Sequence, residues 1–355
     1  MRELLEDMVA KGASDLHLTA GLPPQLRVDG DVHSSQFPVL TGEETKRLAY
    51  SILNEEQKKR FENQKELDLS FGVQGISRFR ANVFQQRGVT SMAIRQIPYE
   101  IHTFEQLGLP PICRELIQKN QGLILVTGPT GSGKSTTLAT MVDTINTARK
   151  GHIITIEDPI EFVHQHKNCI INQREVNSDT HSFPDALKYV LRQDPDVILI
   201  GEMRDKETIG AALTIAETGH LAMATLHTNS TFETINRIVD VFLASQQNQV
   251  RAQLAFSLSG VITQQLIPRA RGGGRVLAME IMVCTPGIKA MIRDDKTHQI
   301  YGLMQAGQKH GMVTMNQSLY QAVINKWITP EQALGRSTDV QELAQMLGEP
   351  VGVAT

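Results

Sequence analysis

The chain has 355 residues, with 35 Lys and Arg against 38 Asp and Glu and a net charge of -3. That length suits two domains, or three, with ample core, and that charge excludes a global electrostatic pull toward nucleic acid. Cys113, Cys169 and Cys284 are odd in number and form no CxxC pair, which speaks against a disulfide framework or a zinc module and for a reducing compartment. The start, MRELLEDMVAKG, carries acids where a signal peptide needs an apolar core, and no apolar run approaches the ~20 residues of a membrane span. The expectation is a cytoplasmic, soluble chain with any membrane link made through a partner.

Residues 1–97 read as a small α+β domain. Leu4, Leu5, Met8 and Val9 mark a short amphipathic helix, and the strands LHL, LRV and VHS follow, the last two around an Asp29-Gly30 turn. Thr41 and Glu44 have capping-box spacing before a helical run to about Phe61. Three strands are predicted over 66–73, 76–84 and 89–97. In the second, alternation puts Phe79, Ala81 and Val83 on one face and Arg78, Arg80 and Asn82 on the other. Two readings of that polar face stand: a solvated sheet surface, or Arg78 and Arg80, with Arg95, reaching phosphates held by a neighbouring subunit.

Residues 98–111, with Pro98, Gly108, Pro110 and Pro111, are predicted to form an irregular interdomain linker and hinge. From 112 the pattern alternates strand and helix, with apolar strands at 123–127, 152–156, 197–200 and 221–225, which argues a mostly parallel sheet covered on both faces. Ligands of such sheets sit beyond the carboxyl ends of the strands.

The first of those ends carries GPTGSGKSTT. Gly128, Gly133, Lys134 and Ser135 match G-x-x-x-x-G-K-[ST], between an apolar strand and the helix-forming TLATMVDTIN. Gly128, Gly131 and Gly133 permit positive φ and a close approach of backbone amides to an anion. The expected ATP-binding set is Gly128, Pro129, Thr130, Gly131, Ser132, Gly133, Lys134, Ser135 and Thr136. Lys134 reaches the β- and γ-phosphates, and the Ser135 hydroxyl ligates Mg²⁺.

The other ends carry acids and histidines. IEDPIEF holds Glu157, Asp158 and Glu161, either a solvated loop or a source of the carboxylate that orients the attacking water. VILIGEMRD ends in Gly201 and Glu202, as a Walker B strand ends, with Glu202 able to hold Mg²⁺ directly or through water. His220 and His227 bracket the fourth strand. Their readings are hydrogen bonding near the γ-phosphate or at a subunit seam, satisfied core histidines, or a metal site, which the lack of a nearby cysteine pair disfavours. Beyond Thr231 the pattern reads as helical through INRIVDVF and QVRAQLAFSLSGVITQQLI, then a triple-glycine loop at Gly272, Gly273 and Gly274, the strand VLAMEIMV, and short amphipathic helices from about 285.

Taken together, GASDLHLTAGLPPQLRVDG, RFRANVF, GPTGSGKSTT, TIEDPIEF, INQREV, DPDVILIGEMRD and ETGHLAMATLHTN resemble, in order and spacing, the type IV pilus retraction ATPases of the PilT family, over nearly the whole chain. The resemblance implies a homohexamer whose subunits pair a PAS-like α+β N-terminal domain (1–97) with a RecA-like P-loop ATPase domain and its C-terminal helices (112–355). It makes Glu161 the catalytic carboxylate of an Asp box, Glu202 the Walker B acid, His220 and His227 a His box, and Arg78 and Arg80 the arginines that approach nucleotide across domains or subunits. It also implies ATP hydrolysis that turns a PilC-like platform protein at the inner membrane, so that pilin returns to the membrane. One segment departs. GIKAMIRDD stands where retraction ATPases carry a sequence close to AIRNLIRE, with Lys289, Ala290 and Met291 replacing Arg, Asn and Leu, which admits a PilU-type accessory paralogue. Pilus-extension and secretion ATPases usually have a longer N-terminal part and a tetracysteine module, and a nucleic-acid motor needs a basic pore path; the sequence suggests neither.

Overall fold

The computed structural model describes residues 1–28, 30–97 and 100–348, so Asp29 of the expected turn and Pro98 of the expected linker lie outside the described residues. The chain divides into two compact units, Met1–Glu100 with Glu161–Val163, and Ile101–Ile160 with His164–Thr355.

The first unit is built on six antiparallel strands: β1 (Asp15–Leu18), β2 (Gln25–Val28), β3 (Asp31–Ser34), β4 (Glu66–Val73), β5 (Ser77–Gln86) and β6 (Val89–Ile97), in the order β3-β2-β1-β6-β5-β4. Alternation decides its faces. Phe79, Ala81 and Val83 of β5 are fully buried, while Arg80 between them is exposed. The helical run expected to reach Phe61 is instead two helices, Gly42–Tyr50 and Glu55–Gln64. Asn54 breaks the run because its side chain accepts from the Gln57 amide and the Gln57 side chain answers at the Asn54 amide, a second capping box beside that of Thr41 and Glu44.

The second unit holds a seven-stranded sheet of β7 (Gly122–Thr127), β8 (His152–Glu157), β9 (Ile170–Glu175), β10 (Val197–Ile200), β11 (Leu221–Leu226), β12 (Leu258–Pro268) and β13 (Arg275–Val283), in the order β13-β12-β7-β11-β10-β8-β9. All neighbours are parallel except β12 and β13. Successive residues of β7 enter opposite cores. Leu123 and Leu125 pack in one with the helices Phe183–Val190, Lys206–Glu217, Thr231–Asp240 and Ala244–Ser257, and Ile124 and Val126 pack in the other with Pro111–Ile117 and Lys134–Ala148. Both faces are therefore dry, which is why the strands read as unbroken apolar runs.

Two expectations are corrected here. The segment SGVITQQLI is not helical: after Ala244–Ser257 the chain enters β12, where Val261, Ile262 and Thr263 lie between β7 and β13. β-branched side chains favour that pleated, doubly flanked position, and an apolar run alone does not separate strand from helix. The region 98–111 is not irregular throughout either. Phe104–Leu107 forms a short helix capped by Thr103, with Phe104 buried, and Pro111 opens the next helix. Beyond β13 the helices Pro286–Arg293, Ile300–Gln305, Met315–Ile324, Pro330–Leu334 and Val340–Leu347 follow. One buried carboxylate ties two helix starts to β13: Glu280 accepts from the Thr231 amide at 2.7 Å, the Thr231 hydroxyl at 2.8 Å and the Met315 amide at 3.4 Å. Burial pushes its carboxyl above the usual carboxylate range, against the lowering effect of those hydrogen bonds.

Candidate nucleotide site

The glycine loop after β7 closes on the helix Lys134–Ala148. Gly133 caps that helix at φ +90° and, having no side chain, leaves the first-turn amides uncapped, so the positive end of the helix stands open to an anion. Gly128 is obligatory for space as well as for φ. At +136°, a Cβ there would lie 2.3 Å from the Gln264 carbonyl oxygen and 2.7 Å from the Ser132 hydroxyl. The base of the loop, Gly128 and Ser132, is buried, whereas Pro129, Thr130 and Gly131 are exposed, and Gly133, Lys134, Ser135 and Thr136 are half-buried. Lys134 Nζ donates to the Gly128 carbonyl at 2.8 Å and to the Pro129 carbonyl at 3.1 Å. Both carbonyls are neutral acceptors, which phosphate oxygens outcompete for an ammonium.

One wall of this loop comes from β12. Gln264, fully buried, donates from Nε2 to the Ser132 carbonyl at 2.9 Å, and Thr127 and Thr263 share a hydroxyl hydrogen bond of 2.7 Å at the same edge. Nothing in the sequence pointed to Gln264, because its strand was read as helix and its partner is 132 residues away.

On the same edge of the sheet, β11 lies next to β7 and β10 next to β11. His227 follows β11 and Glu202 follows β10. The Glu202 carboxylate sits 2.6 Å from Arg204 Nε and 3.3 Å from His227 Nε2. Burial alone would raise this carboxyl, but the hydrogen bond and charge of Arg204, together with His227, hold it below its ordinary range. Glu202 is therefore an anion with its charge fixed beside the loop, suited to a hydrated divalent cation. Arg204 was also missed; only its adjacency to Glu202 in GEMRD could have signalled it. Gly201 seats this group, since a Cβ there would come within 3.1 Å of the Ile156 carbonyl oxygen on β8.

The remaining expected residues do not all join this edge. His220 precedes β11 and so lies at the opposite end of that six-residue strand, about 20 Å from His227 along the chain direction. There it meets Thr218 Oγ1 at 3.3 Å and lines a cleft of about 580 Å³ with His152, Asp194, Asp196 and Arg149. The two histidines therefore do not share one γ-phosphate within a chain. Glu161 is exposed and groups with the first unit. Arg78, Arg80 and Arg95 also belong to that unit, Arg80 pairing in register with Arg95, whose Nε is 2.8 Å from Asp15 Oδ1. The acids before Glu161 are partly engaged: Glu157 accepts from Thr155 Oγ1 at 2.6 Å and from Gln173 Nε2 at 3.2 Å. Among the described residues no group of three or more His, Cys, Asp or Glu side chains is placed to hold a metal ion.

Comparison with known proteins bears on this geometry. The family model described as "Type II/IV secretion system protein" matches residues 1–335. The type IV pilus retraction ATPase PilT of Pseudomonas aeruginosa is 51% identical over 93% of this chain and 96% of its own length. The type IV pilus ATPase PilU of the same organism is 42% identical, over 97% of this chain and 90% of its own. A crystal structure of the pilus retraction motor PilT with bound ADP superimposes with a TM-score of 0.91 at 52% identity, covering 97% of this chain and 98% of that one. The chain belongs to the type II/IV secretion system protein family and, within it, to the PilT family of type IV pilus retraction ATPases.

Proposed function

We propose that this chain is the ATP-hydrolysing motor of type IV pilus retraction, and so of twitching motility. The observation that carries the reading is the likeness to PilT over 97% of the chain, which also carries an open phosphate loop. The first unit acts as a PAS-like domain and the second as a RecA-like ATPase domain, assembled as a homohexamer with residues 98–111 as the hinge. The chain works at the cytoplasmic face of the inner membrane, where it acts on a PilC-like platform protein, with a PilU-type paralogue as a further partner.

In this reading ATP is the substrate. Its phosphates take backbone amides from residues 130–136, Pro129 having none to give, and the ammonium of Lys134, which leaves the Gly128 and Pro129 carbonyls. Mg²⁺, when bound, neutralises developing charge on the phosphates; the Ser135 hydroxyl and the ionised Glu202 are the donors that fit it. Glu161 orients the attacking water, Arg78, Arg80 and Arg95 supply guanidinium forks from the first unit, and His227 reports the γ-phosphate to Glu202. His220, at the far end of β11, serves a subunit seam.

Expression in a piliated bacterium lacking its own retraction ATPase tests the reading. Twitching should return with fewer surface pili, and a Lys134→Ala chain should restore neither. A second reading, the accessory paralogue, is favoured by one observation: Lys289, Ala290 and Met291 lie on the partly exposed side of the helix Pro286–Arg293, whose Ile288 and Ile292 are buried. Failure of a folded, ATP-hydrolysing chain to restore twitching, cured by Lys289→Arg, Ala290→Asn and Met291→Leu together, would select it.

A further inference from the structure

We infer that the tip of the β12–β13 hairpin, with the turn after the helix Met315–Ile324, is a docking surface for an anionic lipid bilayer. The tip runs Arg269-Ala270-Arg271-Gly272-Gly273-Gly274-Arg275, closed by the Arg269 amide donating to the Gly274 carbonyl at 3.2 Å, with Gly272 and Gly274 at positive φ. Against it lies the segment of Ile324, Lys326 and Trp327. The Ala270 amide donates to the Trp327 carbonyl at 2.8 Å, and Gln332 Nε2 donates to the Pro268 carbonyl at 3.2 Å. These bonds make the two stretches one surface.

Its chemistry is cationic and amphipathic. Arg269, Arg271, Arg275, Lys326 and Arg336 are exposed, and among the described residues none of them makes an ion pair. The one acid within 268–275 and 324–336 is Glu331. Beside the cations stand two large apolar side chains in water, Ile324 at 55% and Trp327 at 46% exposure, and Trp327 is the chain's one tryptophan. This local excess of positive charge sits on a chain of net charge -3. Guanidinium groups spread along an exposed glycine-rich turn suit a plane of phosphates. A tryptophan and an isoleucine flanking them suit the boundary between headgroups and acyl chains. An acidic protein segment would match the charge but leave the exposed apolar pair unexplained.

Trp327 reports on its own surface. The full-length protein is mixed at low salt with vesicles of phosphatidylcholine alone or of equimolar phosphatidylcholine and phosphatidylglycerol, then read by tryptophan emission and by sedimentation. The anionic vesicles should shift the emission to the blue and sediment the protein, neutral vesicles should do neither, and about 0.5 M salt should release it. Arg269→Glu, Arg271→Glu and Arg275→Glu together should lower the bound fraction at least about tenfold, while Lys59→Glu on the exposed helix Glu55–Gln64 should not. Unaltered emission and sedimentation of the unmodified protein with anionic vesicles would overturn the assignment without any variant. So would equal binding to neutral vesicles, insensitivity to the triple reversal, an equal loss in Lys59→Glu, or displacement from vesicles by poly-glutamate or duplex DNA with the blue shift retained.

Discussion

Gln264 and Ser132 are joined by a hydrogen bond of 2.9 Å that crosses from β12 to the phosphate loop, side-chain amide to backbone carbonyl, in a fully buried setting. The orientation of the Ser132 peptide, and with it the direction of the next amide in the loop, depends on a strand outside the motif. Gln264→Ala should leave that buried carbonyl unsatisfied, costing roughly 1–3 kcal/mol of stability, and should weaken ATP binding about tenfold while changing kcat less. A fluorescent-nucleotide titration beside a thermal melt measures both, and unchanged affinity would remove Gln264 from the site.

Gly128 and Gly131 separate space from backbone freedom. Gly128→Ala meets the Gln264 carbonyl oxygen and the Ser132 hydroxyl at an unfavourable φ, and should cost roughly 3 kcal/mol or more. Gly131→Ala, at φ +77° with nothing within 4 Å of the added Cβ, should cost only ~1–2 kcal/mol. Urea unfolding of the two variants gives the comparison; equal costs would mean that the loop yields at Gly128.

Lys134 and Glu202 should fail differently. Lys134→Ala removes a charge-assisted contact to phosphate and should weaken ATP binding by a factor on the order of 100. Glu202→Gln should keep ATP bound but turn over about 100-fold more slowly or worse. Binding isotherms and phosphate-release rates separate the two, and full turnover by Glu202→Gln would refute its role.

Acid should act on Glu202 through Arg204. The folded-state pKa of Glu202 is lowered, so the stability its ionised form contributes is complete above the ordinary carboxyl pKa and is lost as pH falls through the lowered value. In Arg204→Ala the main lowering influence is gone and burial remains, so the folded-state value returns toward or above the ordinary one and the acid-dependent loss of stability should shrink or vanish. Unfolding midpoints collected from pH 6.5 down to about 3.5 test this; superimposable curves for the two proteins would contradict the pairing seen at 2.6 Å.

How much of this was legible follows from where each interaction closes. The strands β7, β8, β10 and β11 could be read because each is buried on both faces and ends in a short motif, GPTGSGKS, IEDP, GEM or HTN, that cannot continue a strand. The capping box of Thr41 and Glu44 closes within four residues and was equally visible. β12 was not, since SLSGVITQQLI follows a helix without a strong breaker and takes its identity from β7 and β13. Gln264 was lost with it. Arg204 was visible as a residue but not as a partner, because its bond to Glu202 depends on the turn after β10. His220 and His227 were legible as the two ends of β11, and it was the family resemblance that grouped them; the six-residue strand between them keeps them apart.

The register of β12 against β13 sets Thr263 opposite Glu280, and Gln264 opposite Met279. The wall of the phosphate loop and the carboxylate that receives two helix starts are thus neighbouring rungs of one ladder. A fragment cut after β11 would retain every residue of the nucleotide-binding signature and lack the strand against which the loop is built. The shortest piece of this chain that should bind ATP as the whole does runs at least through Val283, and a survey of the signature alone would place its end far too early.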